Sequence, residues 1–299
     1  MVSGTVTAAV NYIKKLPIYE KEKPFQILIP IPPDAEDPRT SNIEFEEREQ
    51  IFNDIRGQAE QFNLDDHGFQ IVHAPTALHP FDAANQDFIK TRYLPEVEEI
   101  LRKHVPGGFD RVLFFDWRVR DAAMLQETSE IDMNDMSRWL RPVGYVHIDH
   151  APRAVVLRVQ LFMGDEADYL LSGRVRVINV WRPFEHEVED QPLAYCSAPT
   201  LSQADLVECD HVRRQYKGAT LYPYFNPEQK WYYLGHQSPD DVTLLKIFDS
   251  SEDVKANMCA HCAFQHPSST PSSKKRKSIE IRCLLFNYPD SPAETQPRG

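Results

Sequence analysis

Gly144-Tyr-Val-His147-Ile-Asp149-His150 sets an imidazole and a carboxylate two residues apart in an apolar run. On a strand, side chains two apart leave the same face, so His147 and Asp149 can grip one ion while Ile148 turns into packing. A second imidazole, His261 in Cys259-Ala-His261-Cys262-Ala-Phe264, lies far downstream. Two histidines and one carboxylate can occupy one face of an octahedral metal. The opposite positions then stay free for a co-substrate and dioxygen, as in non-haem Fe(II) sites. His-x-Asp by itself is a short motif that arises by chance, so its weight depends on its surroundings. His236, in Trp231-Tyr-Tyr-Leu-Gly-His236-Gln237, competes with His261 as the distal ligand.

The surroundings include Arg276-Lys-Ser278-Ile-Glu-Ile-Arg282. A 2-oxoglutarate molecule chelating a metal through its keto-acid end leaves its far carboxylate in the pocket. A planar guanidinium and a hydroxyl would clamp it there with charge-assisted hydrogen bonds. Arg276 and Ser278 supply both groups. Residues 278, 280, 282, 284 and 286 share a face, which brings in Arg282, and a guanidinium inside an apolar strand needs an anionic partner. Strand parity leaves Arg276 and Arg282 both open.

Other readings of the same residues are weaker. The basic run 274–277 also reads as a solvated patch or a nuclear address. Cys259-x-x-Cys262 suggests a thiolate zinc site or a redox pair, but only the scattered Cys196, Cys209 and His211 remain as further ligands, without the paired short spacing of closed zinc sites. Both cysteines read better as small buried hydrophobes. No Gly-x-Gly-x-x-Gly, Walker loop or Gly-x-Ser-x-Gly elbow is present.

The elements that must position these groups belong to a chain of 299 residues, 41% apolar and 26% charged, which can bury a sizeable core. A net charge of −12 argues against a nucleic-acid binder and for a small-molecule substrate. No run approaches the 18 or so apolar residues of a membrane span, and the start lacks a signal-peptide pattern. Five sparse cysteines suit a reducing, cytoplasmic setting. The oligomeric state has no signature.

The expected organisation is a single domain over 1–299. It starts with a proline-rich extended arm (1–42) carrying one or two strands around Phe25-Gln-Ile-Leu-Ile, followed by a helical flank (44–110). Within the flank, periodicity predicts amphipathic helices over 44–62 and 94–104, a strand over 68–73 and a helix over 87–93. Residues 111–288 form a β body, with strands at 111–120, 144–148, 174–181, 193–196, 222–225, 230–233, 242–248 and 278–286. Helical stretches at 154–163 and 167–172 interrupt it. The fold class is mainly β with flanking helices (α+β), and a double-sheet jelly roll is favoured over alternating βαβ units. The polar stretch 265–277 and the tail 289–299 read as mobile.

Six ordered motifs closely resemble the fungal AsaB-type hydroxylase/desaturase family over about residues 110–288. They are Asn179-Val-Trp-Arg-Pro183, Glu189-Asp-Gln-Pro-Leu193, Trp231-Tyr-Tyr233 with Gln237-Ser-Pro-Asp-Asp241, Leu244-Leu-Lys-Ile-Phe-Asp-Ser250, His261-Cys-Ala-Phe264 and Arg276-Lys-Ser-Ile-Glu-Ile-Arg282. The resemblance implies a cupin-like double-stranded β-helix, Fe(II), 2-oxoglutarate and O2, with His147, Asp149 and His261 as ligands. It also implies oxidative tailoring of a secondary metabolite, by hydroxylation or desaturation, and puts Asn179, Trp181 and Arg182 in the pocket region. Arg276, Ser278, Arg282 and Asn179 are the candidate co-substrate contacts; Tyr145, Trp181, Arg182, Tyr233 and Gln237 are the candidate substrate wall. His150 after the metal-site aspartate and the two cysteines bracketing His261 depart from the family pattern. Two rivals keep the barrel: a non-catalytic ligand-binding or nuclear-partner module, and an enzyme using its metal only as a Lewis acid for isomerisation or hydrolysis.

Overall fold

Strands buried on both faces sit at the centre of a layered fold, and two segments of this chain have that character, Arg174–Pro183 and Lys277–Asn287. In the computed structural model, which describes residues 4–32, 34–124, 138–213 and 217–289, they pair antiparallel over ten positions. Thirteen strands occur among the described residues: β1 (Thr5–Ile13), β2 (Phe25–Ile27), β3 (Phe45–Asp54), β4 (Phe69–His73), β5 (Arg111–Asp121), β6 (Arg174–Pro183), β7 (Leu193–Cys196), β8 (Leu206–Val212), β9 (Lys217–Pro223), β10 (Trp231–Tyr233), β11 (Asp241–Asp249), β12 (His261–Ala263) and β13 (Lys277–Asn287). One sheet runs β1-β3-β10-β7-β12 and a second runs β4-β11-β6-β13-β5, with a small β2-β8-β9 sheet beside them. Phe52, Tyr195 and Trp231 of the first sheet share one core with Val177, Trp181 and Leu284 of the second. This is the two-sheet arrangement of a jelly roll.

Alternation decides which side chains reach the interior. On β13, Ile279, Ile281, Cys283 and Leu285 pack outward with Val97, Ile100 and Leu101 of the helix Leu94–His104. Ser278, Glu280, Arg282, Leu284 and Phe286 therefore point inward. On β6, Ile178 and Val180 join the outer layer while Val177 and Trp181 join the inner core.

The helix expected over 44–62 is instead β3, paired antiparallel with β1 across nine positions and parallel with β10. Its Glu, Arg and Gln favour a helix locally, but Gln50 and Phe52 are buried at period two, and pairing on both edges outweighs propensity. β8 was not expected. β9 ends at Pro223 rather than running over 222–225, and 144–148 forms only isolated bridges at Tyr145, His147 and Ile148. The stretch 265–277, expected to be mobile, is pinned: His266 N donates to Asp190 O, Lys274 N to Glu189 Oε2 and Arg276 N to Asp190 Oδ1. Residues 290–299 of the expected tail lie outside the described residues, as do residues 1–3 and 33 of the expected arm.

Arg182 follows the outward parity of β6 and is fully buried on the helix side. It donates to Glu96 Oε1 at 2.9 Å and to Pro239 O at 2.9 Å, with its guanidinium over the Tyr93 ring. Its assignment to the pocket wall is thereby corrected, because neighbouring residues on a strand face opposite ways. Arg182→Ala leaves the Glu96 carboxylate with only the Thr76 hydroxyl and the Pro239 carbonyl without its donor, and is expected to cost about 3 kcal/mol of stability. Urea denaturation checks the loss, and iron content of the folded fraction should match wild type. A fall in iron content at unchanged stability would put Arg182 back at the site.

Candidate metal centre

His147 and His261 come together across an antiparallel bridge, His147 N donating to His261 O at 3.1 Å and His261 N to His147 O at 2.9 Å. The two rings lie 4.4 Å apart, and one ligand atom from each of His147, Asp149 and His261 falls within 4.8 Å of the others. Ile148 is fully buried on the opposite side. His147 Nδ1 donates to Tyr145 O at 2.9 Å and His261 Nδ1 to Cys259 O at 3.3 Å. A carbonyl only accepts, so the proton sits on Nδ1 and each Nε2 keeps its lone pair for a metal.

Asp149 is held from both sides. Asn179 Nδ2 donates to its Oδ2 at 2.6 Å, and Arg282 Nη2 to its Oδ1 at 3.1 Å. Burial works against ionising this carboxylate, but Arg282 and the nearby histidines outweigh it and hold the group well below the usual carboxylate range. Arg282 also pairs with Asp116 at 3.1 Å and Glu280 at 2.8 Å. Arg282 and Asn179, expected at the co-substrate, are thus committed to the metal-site carboxylate. Parity correctly turned Arg282 inward, but the acidic partner it met was the protein's own.

Burial, then the proximity of His261, lowers His147 to about 4, and burial with Arg213 nearby lowers His211 to about 4. Both are neutral ligands or acceptors at neutral pH without a proton being displaced. Below pH 6.5 the unfolded chain takes up protons that these folded imidazoles refuse. Stability should therefore fall as pH drops from 6.5 to about 4, with a slope of about 1.4 kcal/mol per pH unit for each such group. Urea midpoints of the metal-free protein at pH 7.5, 6 and 5 check this. A midpoint that rises or stays level toward pH 5 contradicts it.

The centre opens on one side into a cleft of about 1380 Å³, lined by Tyr145, His147, Asp149, Arg213, Tyr222 and others. A recess of about 20 Å³ continues inward past the metal ligands to Trp181, Arg276 and Glu280; Arg120, Val143, His147 and Ala263 line both spaces. Arg276 is buried, lies over the Trp181 ring at 5.5 Å and donates through Nη1 to Gln191 O at 2.7 Å. Its Nε and the Ser278 hydroxyl are buried without a hydrogen-bond partner among the described residues. Buried polar groups are rarely left so; Arg276 lines the recess, Ser278 follows it two residues on, and a guanidinium nitrogen and a hydroxyl are the donors a carboxylate needs. The recess as it stands has room for about one water, so entry of a five-carbon dianion requires side chains along it to move.

Of the expected wall residues, Tyr145 lines the cleft and Trp181 the recess. Tyr233 packs edge-on against Phe264 and hydrogen-bonds His266, and Gln237 donates to Asp241 O and Thr243 Oγ1; neither lines either space, which corrects their assignment. His236 is exposed beside Glu187 and is not the distal ligand. Sequence reasoning missed the cleft arginines, Arg120, Arg158 and Arg213. For Arg120 a signal existed: charges at 116, 118 and 120 alternate with apolar residues in β5, marking an inward polar face.

The jelly roll and its buried His-Asp-His face define the class of non-haem iron oxygenases. A family model described as "Oxidoreductase/YMDC permease-like domain" matches residues 10–286. An Fe(II)/2-oxoglutarate-dependent dioxygenase of Aspergillus novofumigatus is 34% identical over 241 residues, 79% of this chain and 82% of that protein. A hydroxylase/desaturase of Hormonema carpetanum is 32% identical over 252 residues, again 79% and 82%. Aspirochlorine biosynthesis protein N of Aspergillus oryzae is 42% identical over 138 residues, 46% of this chain and 58% of that protein. The solved structure of the iron and alpha-ketoglutarate-dependent endoperoxidase NvfI superposes with a TM-score of 0.79 at 28% identity, covering 95% of this chain and 98% of that one. The chain belongs to this fungal family of Fe(II)/2-oxoglutarate-dependent dioxygenases and hydroxylase/desaturases.

Proposed function

We propose that this protein oxidises a small secondary-metabolite intermediate, with His147, Asp149 and His261 holding Fe(II) and the recess lined by Arg276 receiving 2-oxoglutarate, the Ser278 hydroxyl helping to bind its far carboxylate. The observation that carries this reading is the pairing of a convergent His-Asp-His face with Arg276, a recess-lining guanidinium whose buried Nε has no hydrogen-bond partner among the described residues. Held there, Fe(II) with 2-oxoglutarate and O2 would supply the oxidising power for removing hydrogen from substrate carbon, 2-oxoglutarate being decarboxylated to succinate and CO2.

The chain's own residues do the positioning. Carbonyls of residues 145 and 259 fix the imidazole tautomers, and Asn179 with Arg282 fixes the Asp149 carboxylate. Arg276 anchors the far carboxylate of the co-substrate with its planar fork, and Trp181 packs on that guanidinium. The cleft on the other side of the metal admits the substrate and sets which carbon is presented, and with it hydroxylation or desaturation.

Several features fit a small-molecule enzyme of the cytoplasm better than a nuclear or nucleic-acid module. All five cysteines are buried and free, and no described helix is long and apolar enough to cross a membrane. The basic run 274–277 is spoken for: Lys277 pairs with Glu185 at 2.9 Å, Lys274 and Lys275 lie near Glu189 and Asp190, and Arg276 is interior. Succinate release from 2-oxoglutarate in the presence of Fe(II) and O2 tests the reading, with His147→Ala as the control. Equal succinate from wild type and His147→Ala would end it.

A further inference from the structure

The cleft above the metal has a charge balance opposite to that of the whole chain. Among the described residues five arginines line it, Arg120, Arg141, Arg158, Arg213 and Arg282, and Asp149 is the one carboxylate, although the chain carries a net charge of −12. Arg282 is neutralised by Asp149 and, behind the wall, by Asp116 and Glu280. Arg120 donates to a backbone carbonyl, Arg141 O, and among the described residues no carboxylate forms an ion pair with Arg120 or Arg213. Three elements bring these groups to one space: β5 carries Arg120, the helix Pro152–Met163 carries Arg158 over the Phe115 ring, and the end of β8 leads into Arg213.

Guanidinium groups gathered in a half-buried cleft repel one another, and burial followed by the charge of Arg118 disfavours the cation at Arg213. Such a cluster is relieved by an anion, and a planar guanidinium is matched geometrically to a carboxylate. The apolar part of the same wall, with Phe45 stacked on Tyr145 and Tyr222 edge-on to both, suits a ring or hydrocarbon body attached to that anion.

We propose that the substrate is a carboxylic acid with a large apolar body, its carboxylate received by Arg213 in the cleft and its body lying against Tyr145 and Tyr222 over the metal. The proposal rests on the cleft being the substrate side of the centre. 2-Oxoglutarate is itself a dianion, so the test keeps the co-substrate site filled.

Protein loaded with Mn(II) and saturating 2-oxoglutarate under nitrogen is titrated calorimetrically with 2-naphthoate, 9-anthroate and their methyl esters. At least one acid is expected to bind about 10-fold or more tighter than its ester, a preference that shrinks as salt rises. Arg213→Gln should remove the preference while leaving ester and 2-oxoglutarate affinities within about twofold of wild type, since only one charged hydrogen-bonding partner is lost. Equal binding of acid and ester, or binding of neither, overturns the proposal. So does a preference that survives Arg213→Gln, which would mean the acid ligates the metal, or a variant that weakens 2-oxoglutarate instead. If the variant fails to fold, a salt-independent preference in wild type overturns it equally. Loss of 2-oxoglutarate binding in wild type itself would instead strike the functional reading on which the proposal rests.

Discussion

His261→Ala should bind Fe(II) more than about 100-fold more weakly than wild type and release no succinate above background. The bound is a lower one, because removing even a group that only supports a metal ligand costs about 10–100-fold in affinity. His261 is interior, its Nδ1 proton is committed to Cys259 O, and no other described histidine joins the metal cluster: His236 is exposed, His150 has its ring near Phe115, and His211 pairs with the Tyr222 hydroxyl. The small β12 strand stays paired with β7 through backbone bonds that alanine keeps, so the variant should fold. Iron content by elemental analysis, with a circular dichroism control, reads the result. Stoichiometric iron in the folded variant would exclude His261 as a ligand.

Arg276→Gln tests the proposed co-substrate anchor separately from the metal. Losing a charged, two-pronged partner for a carboxylate is expected to cost about 1.5–3 kcal/mol, or about 10–100-fold in 2-oxoglutarate dissociation constant, with iron retained. Arg282→Gln should do the reverse, weakening iron about 10–100-fold through Asp149 and changing 2-oxoglutarate affinity little once metal is saturating. Calorimetric titration of the two variants at saturating Mn(II) distinguishes them. The opposite pattern, with Arg282→Gln losing 2-oxoglutarate and Arg276→Gln losing metal, would exchange their roles.

How legible each feature was follows from how local its cause is. The same-face relation of His147 and Asp149, and the inward turn of Ser278 and Arg282, are consequences of strand period two and needed no tertiary knowledge. Choosing between Arg276 and Arg282 did need it, because Asp116 reaches Arg282 from β5, 166 residues away in sequence. β3 was misread since its helix-favouring residues are overruled by β1 upstream and β10 far downstream. Arg182 was placed in the pocket by the resemblance, although the parity that placed Arg282 would have sent it to the helix side. β12, three residues long, carries too little pattern to be seen as a strand before its partners are known.

On the proposed function, one recess couples the metal to an anchor for the dicarboxylate. Calorimetric titration of 2-oxoglutarate into Fe(II)-loaded protein under nitrogen, repeated on metal-free protein and on Arg276→Gln, tests it most directly. One 2-oxoglutarate per chain is expected, weakened about 10-fold or more both by removing the metal and by removing Arg276. Binding that is absent from the loaded wild type, or indifferent to both changes, would contradict it.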